Sequence, residues 1–140
     1  MKILAVGDFQ GVFPTKLKNR IKKEEFDLII GVGDYGGIKE WRPFIFDTFK
    51  KAERGLPIIS PQEFFGKERF KKLVKKDFSS AKNVLNKLNK IEKTMIYVFG
   101  NTDDEWYNHL SYKKMKVKNN AKKFIKKLKN LKDITYSQKE

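Results

Sequence analysis

Three short apolar runs in this chain end in the same kind of corner. Lys2 to Gly7 closes on Gly7-Asp8, Leu28 to Val32 closes on Gly33-Asp34, and Met95 to Phe99 closes on Gly100-Asn101. Continuous apolar runs of this length suit strands buried on both faces, as in a parallel sheet. Helical patterns lie between them. Pro14-Thr15 opens a helix with Leu17 and Ile21 on one face, and Glu24 to Asp27 form a turn. Tyr35-Gly36-Gly37 reads as a loop, and Ile45 to Arg54 as a helix stopped by Gly55 and Pro57. Ser60-Pro61-Gln62-Glu63 is a capping-box start with proline at the first helical position. Phe70, Leu73 and Val74 then space as a helix face, and a further helix carries Val84, Leu85, Leu88 and Ile91. The order strand, helix, strand, helices, strand, helix predicts an α/β fold: a parallel-stranded sheet flanked by helices and joined by right-handed crossovers. Ile134 to Tyr136 is a candidate start for a fourth strand.

Ligands of such sheets bind at the carboxyl ends of the strands, which is where Asp8, Asp34 and Asn101 fall. Glycine before the polar residue lets the backbone turn sharply out of the strand. Two carboxylates, Asp8 and Asp34, brought close together repel, and a bound cation is the usual remedy. Asn101 and Gln10 add neutral amide oxygens, and Asp103 and Asp104 add carboxylates nearby. An oxygen-rich set suits Mn²⁺ or Mg²⁺ better than Zn²⁺ or Fe. A single Gly-Asp corner often does no more than cap a helix or make a turn; three at successive strand ends form a more specific pattern.

These motifs resemble those of the calcineurin-like metallophosphoesterases. Gly7-Asp8-Phe9-Gln10-Gly11, Gly33-Asp34 and Gly100-Asn101-Thr102-Asp103 follow that family's first three motifs in order, strand context and approximate spacing. The likeness is nearest to its small phosphodiesterase-like branch and runs from Met1 to about Asp104. It implies one or two divalent ions, with Asp8 and Gln10 on the first metal, Asp34 bridging, and Asn101 on the second. A metal-bound hydroxide would attack phosphorus in line. Asp34, Asn101 and Asp103 would be the catalytic set, with Asp103 orienting a neighbour or the leaving group. Gln10 stands where the family carries a metal-binding histidine, and Thr102 where the larger enzymes carry another. The later histidine motifs are missing, and the single histidine, His109, reads as a surface loop residue. The resemblance therefore implies one domain over residues 1–140 that is half of an α/β/β/α sandwich: a truncated member, or one completed by a partner chain or oligomer.

The chain of 140 residues carries a formal net charge of +15. That field attracts polyanions such as nucleic acid, phosphorylated substrates or acidic membrane surfaces, although a lysine-rich proteome gives the same excess. Ala121, Phe124, Ile125, Leu128 and Leu131 fall at helical spacing, so this stretch predicts an amphipathic helix with a lysine face. Lys122, Lys123, Lys126 and Lys127 on that face are candidate nucleic-acid contacts, against the commoner reading of a solvated helix back. Trp41, Phe44, Phe46, Phe49, Phe64, Phe65 and Phe70 read first as core under helices and second as a stacking platform for the bases of a nucleotide. The absence of cysteine excludes disulfides and thiolate sites. No apolar run approaches membrane-spanning length, so no membrane partner is expected, and a cytoplasmic location is the default. Two functional readings follow. The first is a metal-dependent phosphoesterase acting on a phosphodiester or phosphomonoester. The second is a catalytically incomplete relative that binds phosphate or nucleic acid. A generic nucleotide-binding domain would need a glycine-rich phosphate loop, which the chain lacks.

Overall fold

A computed structural model describes residues 1–98, 100, 103, 123–128 and 130–133. Its elements run β1 (Ile3–Val6), α1 (Thr15–Lys23), β2 (Leu28–Gly31), a short 3₁₀ turn (Lys39–Trp41), α2 (Arg42–Glu53), α3 (Pro61–Phe65), α4 (Lys67–Asn89), β3 (Met95–Tyr97) and β4 (Leu131–Asp133). All four strands are parallel, in the spatial order β1-β2-β3-β4. The register aligns Ile3 with Leu28 and Ile29 with Met95, so the carboxyl ends of β1 and β2 finish level. The α/β expectation therefore holds. No helix among the described residues is long and apolar enough to cross a membrane.

Spatial strand order follows chain order, and that decides where the helices go. Each right-handed crossover steps to the next strand in the same direction, so each passes over the same side of the sheet. The core lies on that side. Val6, Ile29, Met95 and Tyr97 face the buried stripe of α4, made of Phe70, Val74, Phe78, Ala81, Val84, Leu85 and Leu88. Leu17 and Ile21 of α1, and Phe124, Ile125 and Leu128 near the end of the chain, close the same core. The opposite face carries Ile3, 47% exposed, Val32, 57% exposed, and Val98, 39% exposed. Ala5 on that face is exposed too, and Leu28, Ile30 and Ile96 are half-buried. The expectation of strands buried on both faces is corrected here: among the described residues, only one face is covered.

Helix boundaries also shift. The helix expected from Ile45 begins at Arg42, with Pro43 in its first turn. It ends in paired bonds from Gly55 N–H to the Ala52 carbonyl and from Leu56 N–H to the Lys51 carbonyl, a Schellman motif. The Ser60 capping box forms as expected, with the Ser60 hydroxyl accepting from Glu63 N–H and the Glu63 carboxylate accepting from Ser60 N–H. Its helix stops at Phe65, and Gly66 separates it from α4. The face expected on the capping-box helix, Phe70, Leu73 and Val74, and the further helix expected through Val84, Leu85 and Leu88 are instead one helix of 23 residues. Between the two expected faces the polar Asp77 and Ser80 sit mid-helix, where they bond to the Trp41 indole and to Gly37 N–H. The fourth strand lies at Leu131–Asp133, so Leu131, expected on the lysine-faced helix, belongs to the sheet instead; residues 134–136 fall outside the described set.

Candidate functional site

The loops leaving β1 and β2 continue the sheet's hydrogen bonding beyond the strands. Asp8 N–H donates to the Gly33 carbonyl at 3.1 Å, Gln10 N–H to that of Asp34 at 3.1 Å, and Gly11 N–H to that of Tyr35 at 3.0 Å. Backbones this close leave no room for a side chain at Gly37, where a Cβ would stand 2.9 Å from the Gln10 backbone. Among the described residues, four non-glycine residues have left-handed backbones, and three of them, Asp8 (φ 52°), Gln10 (φ 51°) and Asp34 (φ 56°), lie in these two loops. The fourth, Glu92, lies in the turn before β3. Left-handed geometry costs an L-residue about 1–2 kcal/mol, and such strain clusters at functional sites, where the fold over-determines it.

Asp103 braces the second of these loops. It is fully buried, and its carboxylate accepts from four backbone N–H groups. Asp34 donates at 2.6 Å, Tyr35 at 2.9 Å, Gly36 at 3.2 Å and Gly100 at 3.0 Å. One side chain thus ties the β2 corner to the β3 corner. Burial raises the Asp103 carboxyl above the ordinary range, an effect the four N–H donors only partly offset. Gly100 completes the seat. A Cβ there would lie 2.1 Å from Asp34 Oδ1, so only glycine lets the Asp34 carboxylate occupy this position.

A second layer supports the loops from below. Tyr35 is buried, its hydroxyl donates to the Val98 carbonyl at 3.1 Å, and its ring stacks on Phe9 at 6.1 Å. Burial, with Asp103 nearby, raises the Tyr35 phenol far above its ordinary value of 10.0. Ser80 of α4 accepts from Gly37 N–H at 3.1 Å, and Asp77 accepts from the Trp41 indole at 3.1 Å. Sequence reasoning missed Tyr35, Asp77 and Ser80. Each reaches its partner across tens of residues, and no local spacing announces such a contact.

The residues expected at the site divide as follows. Asp8, Gln10 and Asp34 come together in the paired loops, and Asp103 stands behind them. Asp8 and Gln10 are exposed and Asp34 is half-buried, so the first two open to solvent while the third leans on the β3 corner. Gln10 donates its side-chain amide to Asp8 Oδ1 at 2.8 Å. In this arrangement it presents nitrogen to Asp8, whereas a ligand role would use its oxygen. Among the described residues, no three His, Asp or Glu side chains stand close enough together to hold a metal ion. The carboxylates present are hard oxygen donors of the type Mn²⁺ and Mg²⁺ accept, and they fit as part of a ligand set. Asn101, Thr102, Asp104, His109 and Lys122 lie outside the described residues. Lys123, Lys126 and Lys127 are exposed beside Phe124, Ile125 and the buried Leu128, on a face remote in sequence from the corners.

The seven aromatics between the second and third corners also separate. Phe70 is buried, and Trp41 packs edge-on against it at 6.1 Å and against Phe65 at 5.6 Å. Phe44 meets Phe64 at 5.6 Å. Phe70 lies in the core and Trp41 and Phe65 pack against it, as the core reading has it; Phe44 and Phe64 are half-buried outside that cluster, and Phe46 and Phe49 are exposed. No protein-family model, curated protein or solved structure matches the chain.

Proposed function

We propose that the chain is a metal-dependent phosphoesterase of the calcineurin-like kind, with its reaction centre at the three corners. The observation carrying this reading is the clustering of left-handed backbone at Asp8, Gln10 and Asp34, at the level ends of adjacent parallel strands. Asp103 and Gly100 brace the Asp34 corner, and left-handed backbone clustered at strand ends supports a functional use of the acidic residues that carry it. Asp8, Asp34 and Asn101 would hold one or two Mn²⁺ or Mg²⁺ ions, which supply a nucleophilic hydroxide and charge neutralisation at phosphorus. Gln10 would position the Asp8 carboxylate through its N–H or bind through its oxygen, and Asp103 would act as a positioning residue. The open face of the sheet fits the second half of this reading. A parallel sheet is ordinarily covered on both sides, so a second sheet, from further sequence or another chain, would complete an α/β/β/α sandwich there.

The test is Mn²⁺ binding, followed by electron paramagnetic resonance, alongside hydrolysis of an aryl phosphodiester. Asp34→Asn keeps the volume and tolerates left-handed backbone, so the variant is expected to fold, to bind Mn²⁺ at least about tenfold more weakly, and to lose metal-dependent turnover. Unchanged binding and turnover in that variant would refute the assignment. The second reading, a non-catalytic binder of nucleic acid, draws on the exposed Lys123, Lys126 and Lys127 and the charge of +15. It requires an affinity for nucleic acid that falls steeply with salt, which a filter-binding titration measures.

A further inference from the structure

Helix α2 faces the wrong way for a helix of a finished surface. Its inner side carries Phe44, Asp47, Thr48 and Lys51, all half-buried. Asp47 and Lys51 pair there at 2.7 Å, and the buried Thr48 hydroxyl has no hydrogen-bond partner among the described residues. Its outer side carries Ile45, Phe46 and Phe49, exposed by 43%, 62% and 63%. At 100° per residue these three span one arc. None of the helix's residues is buried, so this apolar arc does not hold the domain together. Exposed Leu56 and Ile58 follow directly after the helix. Exposed basic residues stand at both ends of the stretch, Arg42 at the start and Lys50 and Arg54 at the finish, with Glu53 the one acid on the outer side.

We propose that α2 and the segment through Ile58 adsorb to an anionic lipid surface. A convex arc of phenylalanine and isoleucine flanked by Lys and Arg is the composition of a helix lying in a membrane interface. The charge of +15 is complementary to such a surface, and it opposes close approach of a second copy of this chain. Stacking on nucleic-acid bases would use the two phenylalanines and leave Ile45, Leu56 and Ile58 without a role. Adsorption needs no spanning run, so the lack of one, on which the expectation of no membrane partner rested, does not bear on it. The proposal is independent of the corner chemistry.

Co-sedimentation of the full chain with vesicles tests it. The vesicles are phosphatidylcholine alone or phosphatidylcholine containing phosphatidylglycerol. Binding is expected to the anionic vesicles only, and to fall as salt rises. The double variant Phe46→Ser/Phe49→Ser, its fold checked by circular dichroism, is expected to partition at least about tenfold less. Three results would overturn the proposal: no binding to anionic vesicles, equal binding to both kinds, or binding that the double variant retains. If anionic vesicles fail and the double variant abolishes dimers in sedimentation velocity, the face belongs to a second copy instead.

Discussion

At the residue scale, most of the informative side chains are polar groups in unusual backbone or burial. Gln10 is neither glycine nor asparagine, yet its backbone is left-handed. Gln10→Gly removes that strain but adds freedom to the unfolded chain, so the balance is expected between zero and about 1 kcal/mol of stabilisation. Urea unfolding measures it, and clear destabilisation would contradict the strain argument. Tyr35 gives a pH signature. Its phenol is held above 10.0 in the folded state, so the unfolded chain releases the proton first. Its contribution is then fully present below pH 10 and is lost as pH rises beyond it. Denaturant unfolding of the wild type should show this alkaline loss, and Tyr35→Phe should lessen it while removing the hydrogen bond to the Val98 carbonyl. Asp8 and Asp34 could be read from sequence because a Gly-Asp step after an apolar run is a local signal. The anchoring role of Asp103 was not legible, since its four donors come from positions 34, 35, 36 and 100 and exist only once β2 and β3 are side by side.

At the element scale, α4 and α2 have opposite relations to the core. The α4 stripe recurs at three- and four-residue steps, and Leu85 and Leu88 are fully buried. Leu85→Ala is expected to cost about 2–5 kcal/mol through lost burial and the cavity left behind. Phe49→Ala on α2 is expected to stay within about 0.5 kcal/mol, because that ring is largely in solvent. Thermal or denaturant unfolding of the two variants distinguishes the helices directly, and a large loss in Phe49→Ala would assign α2 to the fold. Periodicity located both helices. It did not reveal that α4 is continuous through Asp77-Phe78-Ser79-Ser80, because polar residues mid-helix normally mark an end or a solvent face. Here Asp77 and Ser80 serve Trp41 and Gly37. Nor did it reveal which side of α2 would face inward, since two phenylalanines on a helix read as core until a neighbour fails to cover them.

At the scale of the whole molecule, charge and coverage dominate. A net charge of +15 on 140 residues repels itself in the compact state, and salt screens exposed charges beyond about 10 Å at 0.1 M. The melting temperature is therefore expected to rise as salt is added from low ionic strength, and calorimetry measures it. A flat or falling response would mean that local ion pairs outweigh the general repulsion. The sheet adds a second global feature, an apolar face running from Ile3 to Val98 that the described residues leave open. The amino-acid sequence by itself located the first three strands, the corners that end them and the chemical type of the residues there, because these depend on runs of a few neighbouring residues. Tertiary structure alone decided that, among the described residues, the helices packed on the core gather on one side of the sheet, that Asp103 is a buried anchor rather than a surface acid, and that α2 shows phenylalanine to solvent. Burial is a relation between segments distant in the chain, and strand order with crossover handedness sets which surfaces meet.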